Sequence, residues 1–192
     1  MAEFFSIFYK GPTATEENIR TALEKLYAEN GVNVDLDGIN RGENAVEKNV
    51  QLFKRFLRNI NNSMLYIQYM WTTKYPVSRK SGNSRDMKKQ LEAIRGIRRG
   101  RYLPDPYISH GEFVVAMLCS GFKIVLYDSN TRYCTFDCTQ GAAFAEYDKI
   151  ARRKNRANLS MRDYLVERGY KFEIRESEER YFKEPTSDDE WD

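Results

Sequence analysis

The chain has 192 residues, of which 41% are hydrophobic and 14% aromatic, and its 31 basic and 28 acidic side chains leave a formal charge of +3. That content supports a buried core, in one domain or in two small subdomains sharing an interface, and argues against a chain disordered throughout. The net charge is too small to name a partner, so the placement of the charges matters more than their sum.

FFSIFY, residues 4–9, reads as a buried first strand and is too short for a signal core or a membrane span. In the KGPTAT loop behind it, Thr13 and Glu16 have capping-box spacing. The predicted helix carries Ile19, Ala22, Leu23, Leu26 and Tyr27 on one face and stops at Asn30-Gly31. NVDLDG follows, where Asn33, Asp35, Asp37 and Gly38 match the first, third, fifth and sixth positions of a calcium loop. The twelfth position, however, is Asn44, with Glu43 one place early, and the eighth is polar Asn40. The bidentate glutamate is the strongest ligand of that motif, so a short strand ending in an Asp-Gly turn is the preferred reading. Val46, Val50, Phe53, Leu57 and Ile60 then form a second helical stripe. MLYIQYMWTTKY, residues 64–75, is rich in strand formers and predicts a central or half-buried strand, ended by Pro76 and the VSRKSGNS loop.

Between Arg79 and Arg101 the basic residues Arg79, Lys80, Arg85, Lys88, Lys89, Arg95, Arg98, Arg99 and Arg101 face only Asp86 and Glu92. A helix from about Asp86 to Arg99 puts Met87, Leu91 and Ile94 on a docking stripe, with Lys88, Arg95 and Arg99 in a neighbouring row broadened by Arg85 and Lys89. A second cluster, KIARRKNR at 149–156, adds Arg152, Arg153, Lys154 and Arg156. Such cations can lie along a phosphate backbone, with salt-sensitive and largely sequence-independent affinity. A solvated helix face that only keeps the chain soluble is the competing reading, although solvated faces usually mix their signs.

ISHGEFVVAMLCSGFKI, residues 108–124, contains a capping box at Ser109 and Glu112, an apolar helix, and a stop at Gly121. FKIVLY, the DSNTR turn and RYCTFDCT continue it as a hairpin. About fifty residues later the pattern returns at 159–182: Ser160, Asp163, Gly169 and Arg180 answer to Ser109, Glu112, Gly121 and Arg132. A winged helix is excluded for the first copy, because apolar residues cover the whole circumference of its helix. The second copy, with Arg162 and Arg168, remains a candidate contact element.

YISHGEFVVA, Tyr107 to Ala116, with Gly121 and the alternating strand behind it, resembles a short segment of uncharacterised proteins of large eukaryotic DNA viruses, of the marseillevirus and iridovirus kind. The resemblance covers a small part of the chain. It implies a viral setting, with nucleic-acid handling or service as a minor virion component, and brings no catalytic residues.

The only histidine is His110, at a helix start where an exposed structural imidazole is expected. No nucleophile–base set can be assembled around it, and GxxxxGK[ST] and GxGxxG are absent, so neither catalytic residues nor a cofactor are expected. Cys119, Cys134 and Cys138 are few and odd in number, which points to a reducing compartment. Their spacing does not suit zinc, so they are expected as small buried hydrophobes and no metal is assigned. Asp128 and Asp137 are the carboxylates that a nuclease-like pair would use. EPTSDDEWD at the end is acidic and expected to be disordered.

The expected fold is α+β, with amphipathic helices packed on mixed or antiparallel strands and two similar helix-then-hairpin units in the C-terminal half. The expected organisation is an N-terminal α+β half (1–78), a basic loop and helix (79–101), a C-terminal half (102–184) and an acidic tail (185–192). The expected function is non-enzymatic, sequence-independent nucleic-acid binding, without a membrane, inside the host cell or in the virion. The alternative is a structural or host-interaction protein that binds another protein through the aromatics of 64–75 or the acidic tail.

Overall fold

The computed structural model describes residues 13–72, 83–95, 97–98, 101–102, 107–126, 132–153 and 160–169, with the backbone path alone for 97–98, 101–102, 152 and 153. The expected strand at 4–9, the acidic tail and the second hairpin lie outside these residues.

Helix α1 (Glu16–Asn30) is capped by Thr15 in place of Thr13: the Thr15 hydroxyl accepts the Asn18 N–H at 3.1 Å. It ends at Gly31 and buries Ile19, Leu23 and Leu26, three members of the expected stripe. Strands β1 (Val32–Asp35) and β2 (Gly38–Arg41) form an antiparallel hairpin with Asp35 opposite Gly38. The Asp35 carboxylate accepts the Asp37 N–H at 2.8 Å and the Asn40 amide. The Asn33 carboxamide bonds Glu43 O and the Ala45 N–H, both at 3.0 Å. The side chains of Asn33 and Asp35, two of the calcium-loop positions, thus bond within the hairpin and the loop behind it, while the Asp37 carboxylate pairs with Arg132.

Helices α2 (Val46–Lys54) and α3 (Leu57–Met70) are separated by a tightened turn, in which Arg55 and Phe56 donate to carbonyls three residues back. The strand expected at 64–75 is corrected over its first part: 64–70 completes α3, Trp71–Thr72 (β3) is extended, and 73–75 lie outside the described residues. Ile60, Met64, Ile67 and Met70 recur at helical spacing and are fully buried, so packing along one stripe overrides the strand preference of the Tyr- and Ile-rich run.

Helix α4 (Ser84–Arg95) is followed by the two-residue strands β4 (Ile97–Arg98) and β5 (Arg101–Tyr102), which pair antiparallel. The expected helix to Arg99 therefore stops at Arg95, just before Gly96, a poor helix former. Helix α5 (His110–Cys119) carries the full capping box of Ser109 and Glu112. Beyond it β6 (Ile124–Val125) pairs with β7 (Thr135–Phe136), the hairpin anticipated from the sequence. Strand β8 (Thr139–Gln140) pairs with β3 across the chain, and α6 (Ala142–Arg153) and α7 (Met161–Glu167) complete the set.

Seven helices with antiparallel two-stranded pairs among the described residues make this an α+β protein. Ser160 caps α7 through the Asp163 N–H at 3.3 Å, as Ser109 caps α5 through the Glu112 N–H at 3.1 Å, and both helices are followed by left-handed glycines, Gly121 and Gly169. Among the described residues no helix is long and apolar enough to cross a membrane.

One buried cluster runs from Ala14 to Leu165 and joins the N- and C-terminal halves. Its centre is α5, which lies against α1, α3, α4 and both strands of the first hairpin. Phe113, Val114, Val115, Ala116 and Met117 are all fully buried, each larger side chain contributing about 1.5–3 kcal/mol. The Phe113 ring meets Trp71 and Phe136 edge-on, both with centroids at 6.0 Å. This crowding explains why the helix is apolar all round.

The N-terminus of α5 docks on the β1–β2 turn, with the Gly111 N–H donating to Leu36 O at 3.0 Å. A Cβ on Gly111 would lie 1.7 Å from Asp35 O, a backbone atom that cannot move aside alone. Gly111→Ala is expected to lower unfolding stability in urea by about 2–4 kcal/mol. Gly42→Ala, where an added Cβ meets nothing within 4 Å, is expected to shift it by less than about 0.5 kcal/mol.

Candidate nucleic-acid interface

The docking stripe expected on α4 is present, with Met87, Leu91 and Ile94 buried. The cationic row beside it is not. Arg95 is only 8% exposed and points inward, donating to Asn59 Oδ1 at 2.5 Å and Ser63 Oγ at 3.1 Å, both on α3. Lys88 lies 2.6 Å from Glu92 Oε1 and is largely covered. Arg98 falls on β4 rather than on the helix, and Arg99 lies outside the described residues. Within α4, four cations stand beside two anions, and Arg85 and Lys89 are the basic side chains exposed on it. Arg95 is thereby corrected from a phosphate contact to a buried structural group.

The remaining candidates divide between two places. Arg98 and Arg101 are paired opposite each other on the β4–β5 ribbon, which continues directly from α4. Arg152 and Arg153 end α6, which packs on α3 and α7, while Lys154 and Arg156 lie outside the described residues. Arg168, the C-cap of α7, is paired with Glu146 at 2.6 Å and covers the Tyr164 ring, so its charge is locally answered.

The buried end of Arg95 belongs to a polar network. Asn59 accepts from Arg95 through Oδ1 and donates through Nδ2 to Glu112 Oε1 at 2.8 Å. Glu112, 3% exposed, accepts the Ser109 N–H through its other oxygen at 2.7 Å. The same Asn59 amide reaches Tyr107 O at 3.3 Å, and Glu92 accepts the Ile108 N–H at 3.2 Å. Helices α3 and α4 thus hold the segment entering α5 by its backbone.

That segment presents Tyr107, 61% exposed, with Lys88 Nζ 4.9 Å from its ring centroid. A second tyrosine, Tyr133, is 39% exposed and lies under Arg85 at 5.9 Å. Cations over aromatic faces are the pairing that single nucleic-acid strands exploit. Tyr107 also borders an open cleft of about 570 Å³ between the β1–β2 turn, the start of α3 and the entry to α5. Arg55 and Arg58, both exposed, stand on its α2–α3 wall, and Asn62 lines it. Asp37, on the opposite wall, pairs with Arg132 at 3.2 Å. Sequence reading missed Arg55 and Arg58 as site residues, because they lie outside the dense basic run. Their i, i+3 spacing across the α2–α3 turn was the available signal.

His110 is buried at 8% exposure, contrary to the exposed imidazole expected. Its Nε2 shares a hydrogen bond with Ser84 Oγ at 3.0 Å, and that oxygen also accepts the Cys134 N–H at 3.0 Å. Ser84 is fully buried, so this pair joins α4, α5 and β7 and is closed to a substrate. Burial, assisted by the nearby Lys88 charge, lowers the His110 pKa to about 4. Cys119, Cys134 and Cys138 are buried free thiols whose pKa values burial pushes up to about 12, which suits packing and not nucleophilic chemistry. Asp137 accepts the Lys123 N–H at 2.6 Å, and Asp128 lies outside the described residues. Among the described residues no group of three or more His, Cys, Asp or Glu side chains is placed to share a metal ion.

Two stability measurements check this arrangement. Arg95→Glu is expected to lower unfolding free energy by about 3–5 kcal/mol in urea, since it reverses a buried charge bonded to Asn59 and Ser63. The His110 pKa is lower folded than unfolded, so below about pH 6.5 the unfolded chain binds a proton that the native state refuses. Stability present at neutral pH should therefore fall by about 3 kcal/mol between pH 6.5 and 4. As the chain has one histidine, His110→Gln should flatten the upper part of that slope in denaturation series across pH.

No protein-family model, curated protein or solved structure matches this chain, so its functional reading rests on the geometry of the α4–Tyr107 surface and its cleft.

Proposed function

We propose that this protein is a non-enzymatic nucleic-acid-binding protein whose affinity comes mainly from phosphate contacts and depends little on sequence. The observation that carries the reading is the alternation of cations and tyrosines. Arg85 lies beside Tyr133, Lys88 beside Tyr107, and Arg55 and Arg58 stand where Tyr107 borders the cleft. Arg132 connects the two ends, lying next to Tyr133 in sequence and pairing with Asp37 at the cleft. Cations supply counterion release and aromatic faces supply sequence-tolerant stacking, a combination suited to a polynucleotide. The β4–β5 ribbon, with Arg98 and Arg101, extends the basic track beyond α4.

This reading shifts the contact set from the Lys88–Arg95–Arg99 row to Arg55, Arg58, Arg85, Lys89 and the ribbon. Of the aromatics at 64–75 that a protein-binding role would use, Tyr69 and Trp71 are buried and Tyr66 is half-buried, while Tyr75 lies outside the described residues. The setting proposed with it is the reducing interior of a host cell, in the cytoplasm or nucleus or in a virion, which the three buried free thiols fit.

Fluorescence anisotropy with labelled oligonucleotides at a series of salt concentrations tests the proposal. Binding should weaken linearly in log–log form, and Arg85→Glu with Lys89→Glu should reduce the slope by about 1–2 and weaken all sequences alike. Absence of binding at low salt, or binding indifferent to salt, would overturn it.

A further inference from the structure

We infer that the cleft beside Tyr107 receives an unpaired nucleobase, stacked on the tyrosine ring with its phosphate against Arg55 and Arg58, so that the preferred ligand is a single strand. The inference rests on the nucleic-acid reading above and specifies its ligand.

Shape is the first argument. The cleft is a recess of about 570 Å³, within the range of sites that enclose small molecules. A duplex keeps its bases stacked inside and presents only groove edges and phosphates, whereas a single strand can turn a base out into a recess. Tyr107 is the ring on which such a base would stack. Lys88 covers part of it, its backbone carbonyl is held by Asn59, and 61% of the residue is exposed. The platform is thus presented on a fixed backbone, which lowers the ordering cost of stacking.

Charge is the second. Two carboxylates line the recess, Glu112 and Asp37, and both are engaged by groups of the chain. Glu112 is 3% exposed and engaged by the Ser109 N–H and Asn59, and Asp37 is paired with Arg132. Arg55 and Arg58 stand exposed on the wall formed by the α2–α3 turn, and among the described residues no ion pair involves Arg55. The mouth is therefore cationic on the side a phosphate would approach.

Hydrogen bonding is the third. Asn59 is committed to Arg95 and Glu112, which leaves Asn62 as the carboxamide available to a base edge. Its Oδ1 is buried with no hydrogen-bond partner among the described residues. Buried acceptors of this kind are uncommon and mark positions where a donor from outside the chain is expected. Reaching it requires a turn of the Asn62 amide, a soft torsion.

The decisive experiment compares fluorescein-labelled oligothymidylate with a labelled duplex of equal length at two ionic strengths, using the full chain, Tyr107→Ala, Tyr107→Trp and the Arg85→Glu/Lys89→Glu pair. Wild type should prefer the single strand. Tyr107→Ala should weaken oligothymidylate by about tenfold or more while leaving duplex affinity and the salt slope nearly unchanged. Tyr107→Trp should retain affinity and add an indole emission that oligothymidylate quenches. Equal affinity for both ligands, or a Tyr107→Ala protein with a wild-type melting curve that binds oligothymidylate as wild type does, overturns the base-stacking inference and leaves phosphate binding standing. If wild type binds neither ligand at low salt, both proposals fall.

Discussion

Two opposite charges, Arg95 and Glu112, are buried in this protein, and the carboxamide of Asn59 lies between them, accepting from one and donating to the other. Buried charges are tolerated only when their hydrogen-bonding capacity is met, and removing one partner leaves a penalty of several kcal/mol on the other. The geometry that meets it is demanding. Asn59 must sit on the first turns of α3, Arg95 on the last turn of α4, and Glu112 at the third position of α5. Because Glu112 also closes the capping box on Ser109, the same carboxylate sets where α5 begins. The placement of Tyr107, two residues ahead of that cap, follows from the network and not from its own packing.

The buried polar network and the apolar helix complement one another. Helix α5 alone is hydrophobic on every side and offers neighbouring elements little to specify their register. The network at its N-terminal end supplies direction, and the close docking of Gly111 on the β1–β2 turn supplies depth. Ser84 adds a third tie, since it exchanges bonds with Cys134 in both directions, its N–H donating to Cys134 O at 2.7 Å and its hydroxyl oxygen accepting the Cys134 N–H at 3.0 Å. Helix α4 is consequently held at both ends, and its outer face is what remains for contact with other molecules.

Local rules read from the chain were sound where a short pattern carries its own physics. The capping box at 109–112, the stop after Gly31, the stripe of Met87, Leu91 and Ile94 and the turn at 35–38 all depend on neighbours a few residues apart. Reading failed where a side chain's direction depends on distant partners. Arg95 counts as one more cation in a basic run, yet it follows Ile94 and stands four residues after Leu91, so it borders the buried stripe. Its inward turn requires Asn59 and Ser63 on another helix, which no local window contains. The segment 64–70 failed for a related reason: strand formers dominate it, but the spacing of Ile60, Met64, Ile67 and Met70 was already helical, and that packing stripe decided the outcome. The cleft is drawn from three separate parts of the chain and had no signature in any one of them.

The pairing of β3 with β8 joins Trp71 to Gln140 and Thr72 to Thr139, and Gly141 closes the same junction by donating to Met70 O at 2.8 Å. During synthesis the ribosome releases the N-terminal helices well before these partners emerge. Until they do, Trp71 and the apolar stripe of α3 lack much of their cover, and the nascent chain presents that surface to the chaperones around the exit tunnel. Completion of the core therefore waits on the segment at 139–141, and truncations that end before residue 140 should behave as chaperone clients rather than as small folded domains.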